Sequence, residues 1–417
     1  MSADIDVVII GGGAAGIGAA RRLAASGLSA VLIEASSRLG GRAWTQDVSG
    51  LPLDMGCGWL HSADRNSWTR LAEAGGFTID RRDPAWGRQY GDLGFTRAEQ
   101  AEARKAFAAW IRRMTDAPPA SDCAADALEP GGPWNAYLQA LSGFISGARL
   151  ERMSAVDYLA YDHAATQENW RLPAGYGSLI ASSFPAEVRL RLSTPARSID
   201  LAADGVAIDT PMGTIRARSA ILTVSTAVLA ADIINLPAAL DPWRRAAELL
   251  PLGRDEKLFL EILEDGLFAP ETQVLGDPRD ARTGAYYFRP LDRPVVECFV
   301  GGEGARVTEE EGPVAGFAYA IDQIAALFGS DVRGKLRPLI ASSWCRLSHI
   351  GGAYSYAVPG EAAARTTLAQ PFEQRLFFAG EATNTRDFST AHGAHDSGVR
   401  AAEEAIVALK PAKAGAQ

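Results

Sequence analysis

Cysteine and histidine are scarce in this chain, and their scarcity removes whole classes of chemistry. Four cysteines (Cys57, Cys123, Cys298, Cys345) stand far apart in 417 residues, with no CxxC pair. Neither a disulfide framework nor a zinc-type ligand set is expected from that spacing. The five histidines form no HExxH or HxH arrangement, which argues against metal catalysis. A basic surplus is missing as well. The net charge of −9 leaves a phosphate backbone little to bind, so no nucleic-acid partner is expected. No window approaches the roughly 18 uninterrupted apolar residues that span a bilayer, so no membrane partner is expected either. The apolar start Val7–Ile10 has no basic run before it and ends in glycines, unlike a secretory signal. With reduced, mostly buried thiols, these absences give the expectation of a cytoplasmic protein. Solenoid or propeller repeats are also lacking.

Glycine, by contrast, is abundant, and its 42 residues gather in short runs, each a place where backbone must come close to something. The length predicts two or three domains rather than one core. Asp6–Ile10 (DVVII) reads as a strand buried on both faces and runs straight into Gly11-Gly12-Gly13-Ala14-Ala15-Gly16. Ile17, Ala20, Leu23 and Ala24 follow at helical spacing, Gly27 stops the helix, and a second strand, Ala30–Ile33, ends at Glu34 and Ala35. Strand, GxGxxG, helix, strand and acid within about thirty residues form the dinucleotide-binding Rossmann unit. Gly11 permits the tight turn, Gly13 lets backbone touch a pyrophosphate, and Gly16 lets helix and strand pack. The helix N-terminus around Ala14 and Ala15 offers N–H groups to phosphate. Glu34 suits a ribose with free hydroxyls. This segment alone does not choose between FAD and NAD.

Next comes Arg38-Leu39-Gly40-Gly41-Arg42-Ala43-Trp44-Thr45, two glycines between two arginines suited to phosphate. Here the chain resembles the flavin-containing amine oxidase superfamily, of the monoamine and polyamine oxidase kind, whose RxGGRxxT motif extends the FAD pyrophosphate site. Met55-Gly56-Cys57-Gly58-Trp59 is similar to the family segment passing under the isoalloxazine ring. Near the C-terminus, Leu376–Ala379 reads as a buried strand leading into Gly380-Glu381-Ala382-Thr383, and Thr390-Ala391-His392-Gly393-Ala394 opens a helix to about Leu409. This resembles the family's AGEAT…THGA segment. It implies that Gly380 and Glu381 meet the ribityl-phosphate part of FAD and that the backbone at Ala391 and His392 faces the pyrimidine ring. Ala196 is placed by the same resemblance near the adenine.

The implied fold class is α/β, a Rossmann-type FAD-binding domain with an interleaved α+β substrate domain. Residues 1–62, 166–240 and 345–410 would form the first, 63–165 and 241–344 the second, and 411–417 a loose tail. Leu172–Leu179, with Gly175 and Gly177, would return the chain to the FAD domain. Hairpin turns are expected at Asp204-Gly205 and Met212-Gly213, and a buried strand at Ala220–Val224. A helix is predicted over Ala98–Met114, but the 64–169 stretch carries no chemistry that the sequence names.

Lys257 precedes an alternating strand, Leu258–Ile262. Taken alone it reads as a solvated surface charge; by resemblance it is the lysine that hydrogen-bonds through water to flavin N5. Trp344-Cys345 and Gly351–Tyr356 resemble the flavin-proximal segment. Ala353 stands where monoamine oxidases carry the cysteine of a covalent flavin, which implies non-covalent FAD. Tyr354 matches one wall of the aromatic cage, and Thr390 falls where the other wall would be. Trp344 and Tyr354 also read as ordinary core aromatics, and His61 either as structural or as a histidine near the substrate amine. The resemblance implies an oxidoreductase, a flavoprotein moving hydride from an amine Cα to flavin N5, with O2 or another acceptor reoxidising the flavin. An L-amino acid oxidase stays open, with Arg88, Arg289 or Arg346 as carboxylate clamps, as does a desaturase or a non-catalytic FAD-binding scaffold.

Overall fold

Val7–Ile10 is apolar at every position, and such a strand needs cover on both faces. In the computed structural model, which describes residues 5–202 and 205–410, it is the middle strand of a five-stranded parallel sheet. The order is Leu376–Phe378, Ser219–Leu222, Val7–Ile10, Ala30–Ile33, Arg189–Arg191. Val7 and Ile9 enter the core on one face, Val8 and Ile10 the core on the other. Each such side chain contributes about 1.5–3 kcal/mol relative to exposure. The first face is covered by helices Ala14–Ala24 and Ala391–Leu409, which cross on glycine. A Cβ on Gly18 would lie 2.5 Å from the His395 carbonyl oxygen, and one on Gly398 only 1.9 Å from that of Ala15. The second face carries an antiparallel sheet of Ser198–Ala202, Gly205–Asp209 and Ile215–Ala217. Asp204, of the first expected turn, lies outside the described residues, as does the expected tail at 411–417. The expected turn at Met212-Gly213 joins the last two strands of that sheet.

The other five-stranded sheet is antiparallel, ordered Thr272–Leu275, Ala285–Phe288, Val295–Gly301, Asp255–Ile262, Leu336–Ala341. Its strand Asp255–Ile262 corrects the expected alternating Leu258–Ile262: it starts three residues earlier and is buried at all positions but Glu261. The cause is packing on both faces. Leu258, Leu260 and Ile262 join the core under helix Pro313–Phe328, whereas Phe259 joins Leu53, Met55 and Trp344 on the opposite side. Helices Arg97–Asp116, Asn135–Ser146 and Ala155–Ala164 share a further core around Trp110 and Tyr158.

Two short helices that follow residues 63 and 241 pack on the parallel sheet. Helix Ser67–Ala74 buries Trp68 and Ala72 against the parallel sheet, and helix Asp241–Glu248 buries Ala246 and Ala247 in the core that holds Val8 and Ile10. Trp68 and the Ala246-Ala247 pair are apolar faces of short helices, and nothing local in their sequence says which sheet they cover.

Candidate active site

A cavity of about 920 Å³ is lined by residues of both sheets' surroundings, at the upper end of the roughly 300–1,000 Å³ usual for ligand sites. Of the residues singled out in the sequence, it brings together Gly11, Gly13, Ala14, Ala15, Glu34, Ala35, Arg38, Gly40, Gly41, Arg42, Ala43, Met55, Gly56, Cys57, Gly58, Trp59 and His61. It adds Ala196, Lys257, Trp344, Tyr354, Gly380, Glu381, Thr390 and Ala391. Gly16 is off the wall and packs instead: its Cβ would sit 1.9 Å from the Gly11 carbonyl oxygen.

At one end lies the glycine turn. Gly11 has φ +112°, and a Cβ on Gly13 would meet nothing nearer than Gly40 O at 3.9 Å, so it would project into open cavity. Glu34 is buried and accepts the Gly12 and Ser36 backbone N–H groups at 2.6 and 2.7 Å, one on each oxygen. Each oxygen keeps a lone pair for a hydroxyl. Arg38 spends donors on Leu39 O and Gly41 O and stacks 4.5 Å from the Trp44 ring. Arg42 binds Ala353 O and pairs with Glu381 at 3.0 Å. Both arginines thus shape the loop, with further N–H groups left over.

Glu381 is buried and also accepts Ser355 N and Oγ and Ser389 N at 3.1, 2.7 and 2.9 Å. Burial pushes its pKa up, but Arg42 and Arg365 outweigh burial and hold it below the usual value. Helix Ala391–Leu409 begins at the cavity with Thr390 as its cap: the Thr390 hydroxyl accepts Gly393 N–H at 3.0 Å and donates to Asp387 O at 2.6 Å. Its proton is therefore spent on the Asp387 carbonyl and its oxygen on the helix start. The N–H groups of Ala391 and His392 make no hydrogen bond among the described residues, leaving the positive helix end facing the cavity.

Lys257 is buried, contrary to a solvated surface charge, with Nζ 2.7 Å from Glu297 Oε1. Burial lowers its pKa, yet Glu297 wins and the net shift is upward. Nothing in the sequence singled out Glu297, which lies opposite Phe259, two residues along from Lys257. A Cβ on Gly58 would stand 3.2 Å from Nζ, so the Met55–Trp59 segment passes over the lysine. Cys57 beside it is inert, its thiol pushed up to about 12 by burial. Trp344 packs edge-on to Trp44 and shares a core with Met55, and its backbone N–H donates to Glu256 at 2.7 Å. Tyr354 is anchored by its hydroxyl on Phe144 O at 2.6 Å. His61 Nδ1 meets Asn169 Oδ1 at 2.7 Å, which puts the proton on Nδ1 and the lone pair on Nε2. Burial drives its pKa down to about 4, against the Asn169 bond, so it is neutral at pH 7.

Sequence reasoning missed the wall between residues 64 and 169. Tyr137, Leu141, Phe144 and Ile145 line the cavity from one face of helix Asn135–Ser146. Their spacing is visible in the sequence but is indistinguishable from a core stripe. Trp86 packs against Trp59 with ring centroids 4.5 Å apart and planes tilted by 59°. Of the three clamp arginines, only Arg88 lines the cavity; Arg289 is engaged with Asp292 and Arg346 with Glu309 O.

Open space at Gly13 and Gly380, an acid with two spare lone pairs at Glu34 and a bare helix N-terminus at Ala391 fit the phosphates, ribose and ring of FAD. A family model described as flavin containing amine oxidoreductase matches residues 14–84 and 78–406. The chain belongs to that family. This amine oxidoreductase is an FAD-dependent enzyme, and its flavin is non-covalent. Polyamine oxidase 4 of Oryza sativa subsp. japonica is 26% identical over 95% of this chain and 88% of its own length. Polyamine oxidase 2 of Arabidopsis thaliana is 25% identical over 95% and 87%. Pseudooxynicotine dehydrogenase of a Pseudomonas species is 24% identical over 90% and 81%. The solved structure of putrescine oxidase bound to putrescine matches with a TM-score of 0.75 at 19% identity, covering 97% of this chain and 99% of that one; at that identity it speaks for the fold. No helix among the described residues is long and apolar enough to cross a membrane.

Proposed function

We propose that the enzyme is an oxidase that takes hydride from the Cα of a neutral amine held beside Tyr354, with O2 as final acceptor. When bound, FAD supplies the hydride acceptor and passes the electron pair on. The substrate leaves as an imine, which water hydrolyses to a carbonyl compound and an amine or ammonia.

The observation that carries the reading is the buried Lys257–Glu297 pair in a cavity that is continuous from the glycine turn to Tyr354. Lys257 keeps its proton and serves as a hydrogen-bond donor, not a base. Lys257, which keeps its proton, disfavours a second ammonium beside it, so the amine is bound deprotonated. Tyr354, fixed by Phe144, orients the C–H bond, and the aromatic wall excludes water. Glu34, Arg42, Gly380, Glu381 and the Ala391 helix start are the cofactor-holding groups. The test is anaerobic addition of an amine panel to the purified holoenzyme. Bleaching of the oxidised-flavin band by an amine is expected; bleaching only by a pyridine nucleotide or an unsaturated hydrocarbon would overturn the reading.

A further inference from the structure

Helix Ala155–Ala164 holds no residue that the chemistry above uses, yet it puts Tyr161 on the cavity wall. The other hydroxyls near the reactive groups are spent on the protein. Tyr354 donates to Phe144 O at 2.6 Å, Thr390 to Asp387 O at 2.6 Å, Ser389 to Ser355 O at 2.9 Å and Tyr287 to Glu271 at 2.7 Å. Tyr161 Oη makes no hydrogen bond among the described residues and is not sealed off by protein, so it opens into the cavity. Tyr137 is the other wall tyrosine with an unbonded hydroxyl. It lies two helical turns, about 10 Å, from Phe144, where Tyr354 is anchored.

Tyr161 stands on the reactive side. Its ring is 5.5 Å from that of Phe388, two residues before Thr390. Burial raises the Tyr354 pKa, and Asp255 and Tyr161 add to the rise, so the two phenols are within electrostatic reach of each other. Burial, with Asp387 and Asp162 adding to it, pushes the Tyr161 pKa up to about 12. Tyr161 is therefore a neutral phenol at working pH, with one O–H and two lone pairs, and not a base.

The reaction decides which of these the amine meets. As hydride leaves Cα with its electron pair, the nitrogen lone pair forms the C=N bond, and the nitrogen and its N–H gain positive charge. A phenol O–H donated to that lone pair would hold the electrons back. A phenol oxygen that accepts the N–H is bound more tightly in the transition state than before it, which speeds the step. We propose that Tyr161 is a substrate-contacting residue whose phenol oxygen accepts an N–H of the neutral amine. Primary and secondary amines, which keep an N–H when deprotonated, are then the substrate class, and tertiary amines are not. This rests on the amine-oxidation reading above.

The test is anaerobic flavin reduction of the holoenzyme by propylamine, 3-phenylpropylamine and butane-1,4-diamine. Each is run beside its tertiary form, in which methyl groups replace every N–H. Tyr161→Phe keeps the ring against Phe388 and removes only the oxygen. For the primary amine that reduces the flavin fastest, the ratio of limiting rate to dissociation constant should fall on the order of tenfold, at the boundary between neutral and charge-assisted hydrogen bonds. Most of that loss should lie in the limiting rate, since the bond strengthens in the transition state. Flavin content and reduction by dithionite should not change. The tertiary form has no N–H to give, so its affinity, read from the perturbed spectrum of the oxidised flavin, should be the same in both proteins. A primary-amine ratio that Tyr161→Phe leaves intact overturns the proposal. So does an equal loss for the tertiary form, which would mark lost packing. A wild type that oxidises the tertiary form as fast as the primary one overturns it without any variant. If none of the six amines reduces a flavin that dithionite does reduce, the amine-oxidation reading falls first and takes this one with it.

Discussion

Replacing Asp157 by Asn removes one negative charge from the most enclosed ion pair among the described residues. Arg365 and Asp157 have side chains 1% and 5% exposed and meet in two hydrogen bonds of 2.6 and 2.8 Å. The other acceptors of Arg365 are neutral: Ser355 Oγ at 2.9 Å, with Ser355 O and Ala382 O at 3.3 Å. The Phe388 ring lies 3.6 Å from the guanidinium carbon. Asp157→Asn keeps size and an acceptor, so the expected loss is that of a buried cation deprived of its directly bonded counter-charge, roughly 3–5 kcal/mol. That is a large part of a total folding stability of about 5–15 kcal/mol. Glu73→Gln, in a pair with Arg81 where both side chains are about half exposed, is the control and should cost about 0–1 kcal/mol. Urea unfolding of the holoenzyme, followed by tryptophan fluorescence, measures both. Arg365 also donates to Ser355, whose hydroxyl donates to Glu381, so the variant should release flavin at lower urea than the wild type. An Asp157→Asn enzyme as stable as Glu73→Gln would refute the reasoning.

Lys257→Met should slow anaerobic flavin reduction by a factor on the order of a hundred while leaving flavin content unchanged, and an unaltered rate would remove Lys257 from the chemistry. In Glu297→Gln the upward pull on Lys257 is lost, so any alkaline limb of the pH–rate profile should move toward neutrality. His61, held down near 4 by burial, should give no limb at the ordinary imidazole value of about 6.5; a limb there that His61→Asn abolishes would contradict the geometry. Glu256 is buried, and burial lifts its pKa to about 7. A carboxyl raised in the folded state lends stability that is complete below its unfolded value and is lost as pH rises through about 7. Unfolding free energy should therefore fall by about 3 kcal/mol between about pH 4.5 and about pH 8 relative to Glu256→Gln, and parallel pH curves for the two proteins would refute it.

Features written in consecutive residues were legible. The glycine turn, the acid at Glu34 and the two arginines of the 38–45 loop each act through backbone within a few positions, so spacing alone carries the geometry. Contacts made across a ladder were not. Glu297 reaches Lys257 only because two antiparallel strands pair in one register, and a slip of one residue would turn its side chain to the opposite face. Lys257 itself looked like a surface charge because the strand containing it is covered on both sides, a property of what packs there and not of its own pattern. Thr390 was expected as a wall of the amine site; its hydroxyl oxygen caps the last helix and its proton goes to Asp387 O, a use that threonine before a helix start allows equally well.

The position of Glu381 ties the cofactor end of the cavity to the rest of the fold. Arg42 reaches it from the N-terminal loop, Ser355 from the segment that carries Tyr354, and Ser389 from the approach to the last helix. Through Ser355 and Arg365 it is connected to Asp157 on helix Ala155–Ala164. No fragment of the chain holds these partners by itself, so this end of the cavity exists only in the folded molecule. A ligand that binds only that state stabilises it by mass action, in proportion to the logarithm of its concentration over its dissociation constant. Loosening Asp157 and removing FAD therefore act on one network, and their effects on unfolding should be less than additive, as expected for sites that share partners.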